Sequence, residues 1–156
     1  MIVTSFLDTN ILLYLASRNP AEAQKKTMAK RIVKTESIGI SAQVMQEFYT
    51  VAIKKADFRL TPAEGLKWLE KLEEFPCAPV TPPLVKTAAL HSIRHRISYW
   101  DGAIIAAAEF LGAPVLYTED LNHGQVYGTV KAINPFLGVA GQQGFHENKQ
   151  EALTRE

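Results

Sequence analysis

The sequence predicts an α/β fold in which helices flank a mostly parallel sheet of five strands. Short apolar runs alternate with longer helical stretches, which is the rhythm of strand–helix crossover units. Several of the helical stretches open on recognisable start signals, and no internal repeat or linker divides the chain. At 156 residues and 47% apolar, the chain can bury one sizeable core.

The first strand candidate, residues 2–7, stops at Asp8, and a helix begins near Asn10 with Ile11, Leu12, Leu13 and Leu15. Pro20 fits a second helix start, and the charged stretch to Lys34 carries a thin apolar stripe of Met28, Ile32 and Val33. Residues 38–40 read as a very short strand, and Ser41 can cap a helix whose inward face holds Val44, Phe48, Val51 and Ala52. Thr61-Pro62-Ala63-Glu64 is a capping box with proline at the first helical position, so a helix should run to about Phe75.

Residues 77–80 form the third strand candidate, and Thr81-Pro82-Pro83 opens a helix ending near His95. An Ala-rich helix follows from Ser98 or Tyr99 through Leu111, with Gly112 as its stop. Residues 114–117 and 130–133 complete the strand set. One domain, residues 1–136, is therefore expected. The Gly-, Gln- and charge-rich segment 137–156 reads as a loosely ordered tail.

Seventeen Lys and Arg against sixteen Asp and Glu leave a net charge of +1, which neither demands nor excludes a nucleic-acid partner. A lone cysteine, Cys77, rules out an intramolecular disulfide and a multi-cysteine metal cage. The start of the chain lacks the basic residues and the long apolar run of a signal peptide. The apolar stretch 103–116 is broken by Glu109, Gly112 and Pro114, so it cannot span a bilayer. The expectation is a soluble, cytoplasmic protein with no membrane association.

Function rests on carboxylates. Asp8 and Asp120 each follow a strand, and in a parallel sheet the carboxyl ends of the strands form the ligand crevice. Asp101 sits in the first turn of the Ala-rich helix, and Glu47 lies about two turns into the helix after the second strand. Each also suits a structural role: Asp8 as a helix cap, Asp101 as a dipole partner, Glu47 as a solvated glutamate, Asp120 as a turn residue. Taken together, four acids converging on one edge would repel one another unless a cation sat among them. Oxygen-only ligation indicates Mg²⁺ or Mn²⁺, and such ions activate water against phosphodiesters.

Four segments carry a resemblance. They are Phe6-Leu7-Asp8-Thr9-Asn10-Ile11-Leu12, Ile40-Ser41-Ala42-Gln43-Val44-Met45-Gln46-Glu47-Phe48, Ile97-Ser98-Tyr99-Trp100-Asp101-Gly102-Ala103 with its Ile- and Ala-rich continuation, and Leu116-Tyr117-Thr118-Glu119-Asp120-Leu121. In order and spacing these resemble PIN-domain proteins, more narrowly VapC-type toxins of toxin–antitoxin pairs, from Met1 to about Phe136 and including the closing Ile133-Asn134-Pro135-Phe136.

The resemblance implies a PIN-like three-layer fold and an endoribonuclease requiring Mg²⁺ or Mn²⁺. It also implies a cognate antitoxin, an RNA substrate and a homodimer. Asp8, Glu47, Asp101 and Asp120 match the family's acidic positions. Asn10, Ser41 and Thr118 match supporting polar positions, and Glu119 stands as an auxiliary acid beside Asp120. Gly102 departs from the pattern, since alanine is common directly after the third acid.

Arg94 and Arg96, shortly before Asp101, are the RNA-contact candidates. Lys25, Lys26, Lys30, Arg31 and Lys34 read as a solvated helix face. His91 and His95 stand one turn apart but lack a third ligand at a supporting spacing, and Trp100 reads as a packing residue. A non-cleaving PIN-fold protein that binds nucleic acid or a partner is the alternative. A phosphatase with a nucleophilic aspartate is weaker still, because Asn10 stands where its second aspartate would be.

Overall fold

The computed structural model describes residues 2–138. Its sheet grows outward from the first strand. β1 (Ser5–Leu7) leads into α1 (Thr9–Ala16), a 3-10 turn (Pro20–Glu22) and α2 (Ala23–Thr35). Then come β2 (Ile38–Ser41), α3 (Ala42–Ala52), α4 (Pro62–Leu72), β3 (Cys77–Ala78), α5 (Pro82–His95) and α6 (Tyr99–Phe110). β4 (Val115–Tyr117), β5 (Val126–Tyr127) and β6 (Val130–Ile133) close the described chain.

The strands lie in the order β3-β2-β1-β4-β6-β5. β1 pairs in parallel with β2 on one side and β4 on the other, and β3 and β6 extend the sheet in parallel. β1 is buried along its whole length, as expected for a strand covered on both faces. Phe6, Leu7, Ile11, Leu12, Ile40, Phe48, Ile104, Ile105 and Leu116 are all fully or almost fully buried in one core. Among the described residues, no helix is long and apolar enough to cross a membrane.

The expected five parallel strands are present, and a sixth was not foreseen. β5 is antiparallel to β6, with Tyr127 opposite Val130 and Gly128-Thr129 as the connection. Gly128 takes a positive φ of 61°, which a two-residue hairpin loop requires. The helix expected to reach Phe75 stops at Leu72 instead, with Glu73 as its C-cap. Pro76 disfavours helical geometry at the residue before it, so the chain turns out early. The expected tail falls mostly on residues 139–156, which lie outside the described residues.

Candidate active site at the carboxyl edge of the sheet

The sheet reverses its building direction between β1 and β4, because β2 and β3 extend one side and β4 and β6 the other. That is the switch point at which open α/β sheets form a crevice beyond their carboxyl ends. Leu7 pairs with Tyr117, so the next residue on each strand, Asp8 and Thr118, stand side by side at this point.

Asp8 is 1% exposed. It caps α1, its Oδ1 accepting from the Thr9 amide at 2.7 Å, while its Oδ2 accepts from the Thr118 hydroxyl at 2.8 Å. The Thr118 Oγ1 in turn accepts from the Asp120 amide at 3.0 Å. On the other side, the Thr9 hydroxyl donates to Glu47 Oε2 at 2.7 Å, and Gln43 Nε2 donates to Glu47 Oε1 at 3.0 Å. A continuous path of hydrogen bonds therefore runs from the Asp120 backbone through Thr118, Asp8 and Thr9 to the Glu47 carboxylate. Thr9 and Gln43 were missed by sequence reasoning. The folded contact between α1 and α3 reveals Thr9, which is far from Glu47 in sequence, whereas Gln43 stands one turn before Glu47 on α3 and its spacing was the signal that could have found it.

Asp101 comes from a different element, the first turn of α6. The C-cap of α6, Leu111, packs on β2: its Cδ1 lies 2.7 Å from where a Cβ on Gly39 would stand. A short link joins Phe110 to the start of β4 at Val115, and the helix packs on several strands, so it runs back across the sheet and its first turn opens toward their carboxyl ends. Ser98 caps that opening, accepting from the Asp101 amide at 3.1 Å. Ser41, buried, caps α3 in the same way through the Val44 amide at 3.2 Å. Asn10 is buried in the first turn of α1. The N-termini of α1, α3 and α6 thus open at this edge, and their partial positive charge favours anionic groups there.

Glu119 is placed elsewhere. Its Oε1 accepts from the Tyr14 hydroxyl at 2.5 Å and its Oε2 from Lys25 Nζ at 2.8 Å. Lys25 is fully buried, which corrects its expected place on a solvated face: α2 turns this one lysine inward. Arg94 and Arg96 are exposed, Arg96 as the left-handed C-cap of α5, two residues before Ser98. His91 bonds Glu109 through Nε2 and stacks on His95, whose titration burial pushes down. His123 accepts from the Asn134 amide at 3.0 Å. Trp100 packs edge-on against Tyr99.

A cleft of about 490 Å³ lined by Arg18, Asn19, Pro20, Ala56, Asp57 and Arg59 lies beyond the C-terminal end of α1, at the opposite end of that helix from Asp8.

Among the described residues, no three His, Cys, Asp or Glu side chains form a ready-made metal cage. The acids at the edge nonetheless offer only oxygen. That suits a hard ion such as Mg²⁺, which retains several waters and takes one or two carboxylates plus substrate phosphate oxygens. The donor chemistry fits such an ion.

No functionally curated protein matches the chain. Solved structures share its fold at low identity. A toxin–antitoxin complex from Klebsiella pneumoniae is 17% identical, with a TM-score of 0.64, 85% of this chain covered and 98% of the other. DNA-bound VapBC from Salmonella typhimurium is 16% identical, with a TM-score of 0.61 and coverage of 86% and 99%. VapC20 of Mycobacterium tuberculosis, described as a toxin that cleaves the sarcin–ricin loop, is 19% identical, with a TM-score of 0.58 and coverage of 75% and 90%. Residues 5–128, well over half of the chain, match the sequence profile of the PIN domain, and the chain belongs to the PIN-domain family.

Proposed function

We propose that this protein is a Mg²⁺- or Mn²⁺-dependent endoribonuclease, the toxin of a toxin–antitoxin pair. The observation that carries the reading is Asp8. It is a carboxylate buried at the sheet's switch point and joined by hydrogen bonds to the Asp120 backbone on one side and to Glu47 on the other. Hydrogen bonds offset the cost of burying a carboxylate, and they hold this one where the crevice of the sheet opens.

Asp8, Glu47, Asp101 and Asp120 would hold the ion. Thr118 and Thr9 orient Asp8, and Ser41 and Asn10 complete the polar wall. Glu119 is left out of the ligand set because Tyr14 and Lys25 take both its oxygens. The chemistry that such an ion supplies when bound is activation of a water and neutralisation of phosphate charge. The helix N-termini add to the field that receives a phosphodiester, and Arg94 and Arg96 are placed to contact flanking phosphates.

The partner reading draws on the fold's likeness to toxins solved with antitoxins. A basic side chain from such a partner could pair with the carboxylates in place of the ion. We also read the protein as a homodimer in the cytoplasm, with exposed Leu90 and Ile93 on α5 available for self-association; sedimentation of the purified chain measures this.

Asp8→Asn tests the whole assignment. Asparagine keeps the side chain's size and an oxygen for the Thr9 amide, so melting should change little while Mn²⁺-dependent RNA cleavage falls to background. Cleavage near the wild-type rate would sink the assignment. A wild-type chain that binds RNA without cutting it would leave the binding-protein reading standing.

A further inference from the structure

The acidic pair Glu119-Asp120 sits at the end of β4, and its two members have different surroundings. Glu119 belongs to a closed triangle: Tyr14 hydroxyl to Glu119 Oε1 at 2.5 Å, Lys25 Nζ to Glu119 Oε2 at 2.8 Å, and Lys25 Nζ to the Tyr14 hydroxyl at 3.0 Å. The Lys25 side chain is 0% exposed and that of Glu119 4%. The ammonium lies 4.9 Å from the Tyr14 ring centroid and 5.4 Å from that of Phe136, which itself packs edge-on against Tyr14.

Stability alone is a poor reason for such a group. Removing two charges from water offsets most of what their pairing gains, and a well-packed apolar pair of the same volume is often as stable or more so. What the triangle does provide is geometry. Tyr14 lies on α1, the helix capped by Asp8, and Lys25 lies on α2. Glu119 is the residue between Thr118, which bonds Asp8 Oδ2, and Asp120, whose amide bonds Thr118 Oγ1. The loop that carries Asp120 is therefore pinned twice: by Thr118 to Asp8, and by Glu119 to the two helices behind it.

We propose that Lys25, Tyr14 and Glu119 are positioning residues that fix the Asp120 loop against α1, and so set the spacing of Asp8 and Asp120 for a divalent cation. This rests on reading the carboxyl edge as a metal-dependent site. The three residues do not touch the ion; they act through Asp120.

The test compares wild type with Glu119→Gln and with the apolar double variant Lys25→Met, Glu119→Leu. Melting without metal, Mn²⁺ binding by calorimetry, and RNA cleavage across Mn²⁺ concentrations are measured on each. The double variant takes two partners from the buried Tyr14 hydroxyl, so it should melt somewhat below wild type but stay folded, and it should bind Mn²⁺ roughly tenfold more weakly or worse, the range seen when supporting partners of metal ligands are removed. Its cleavage should recover in part at high Mn²⁺. Mn²⁺ affinity within a factor of about two of wild type in a folded variant would overturn the proposal and leave the triangle a structural feature. Should the double variant fail to fold, Glu119→Gln decides by the same criterion. Failure of the underlying reading looks different, because then the wild type itself would neither bind Mn²⁺ nor cut RNA.

Discussion

Replacing Gly102 with alanine should destabilise this protein, although alanine is the better helix former and is common at the matching position of the resembling family. A Cβ at Gly102 would stand 2.4 Å from the Ala88 carbonyl oxygen, 3.1 Å from the Ser92 nitrogen and 3.3 Å from the Ala88 carbonyl carbon. All three are backbone atoms of α5, so no side chain can rotate aside and the two helices must separate. Intrinsic propensity favours alanine by about 1 kcal/mol. Forcing a methyl group into a closely packed interface costs about 1–3 kcal/mol, and a contact this short on backbone belongs in the upper half of that range. The net expectation is a loss of about 1–2 kcal/mol, or roughly 2–8 °C in melting temperature for a domain of this size. Urea unfolding and calorimetry read the stability. RNA cleavage reads the second consequence, because Asp101 shares the same helical turn and moves with it. A Gly102→Ala variant as stable as wild type, or more so, would refute the steric reasoning and leave propensity in control.

Thr118→Val keeps the shape of the side chain but removes the hydroxyl that donates to Asp8 and accepts from the Asp120 amide. Leaving buried polar partners unmatched costs about 1–3 kcal/mol, so denaturant midpoints should fall and calorimetric Mn²⁺ affinity should weaken; unchanged values in both would remove Thr118 from the site. Tyr117 has its titration pushed up to about 12, first by burial and then by its hydrogen bond to Glu36. A folded pKa raised above the ordinary 10.0 gives stability that is present below about 10 and lost as pH rises through about 12. Tyr117→Phe should therefore flatten the alkaline fall in unfolding midpoint, and an equally steep fall would contradict the assignment. If a partner's Arg or Lys occupies the carboxylates, added Mn²⁺ should weaken the complex in wild type but not in Asp8→Asn. Titrating metal while following affinity measures this, and an affinity indifferent to metal in both proteins would place the partner elsewhere.

The sequence made the parallel architecture readable because its signals are local. Ser41, Thr61 and Thr81 are cap residues with their own short-range chemistry, and each caps a helix through an amide three residues on. Asp8 was legible because the first strand candidate, residues 2–7, stops at it. β5 was not, since a two-residue strand with Val126 exposed has no alternation to detect. Lys25 was misread although its helical neighbours Met28, Ala29 and Ile32 form the inward stripe of α2, because a lysine is ordinarily solvated and the partner that lets it be buried, Glu119, comes from the far end of β4. The role of Thr9 was likewise hidden, because a hydroxyl's partner is set by tertiary contact and not by spacing.

Glu119 and the acids proposed to hold the ion, Asp8 and Glu47, differ in the donors that the structure sets against them. Glu119 faces an ammonium with no water access, and Lys25 satisfies it. Asp8 and Glu47 are oriented by Thr118, by Thr9 and by Gln43, donors that carry no formal charge. A neutral donor fixes where a carboxylate points and leaves its negative charge in place, whereas a lysine in the same position would compete with any cation for it. Moving the lysine to this cluster should therefore do more harm than deleting a hydroxyl there. Thr118→Lys, if it folds, would supply an internal ammonium beside Asp8 and abolish Mn²⁺ binding, while Thr118→Val would only weaken it. Equal Mn²⁺ affinities in the two variants would show that orientation, and not charge, is what Thr118 contributes.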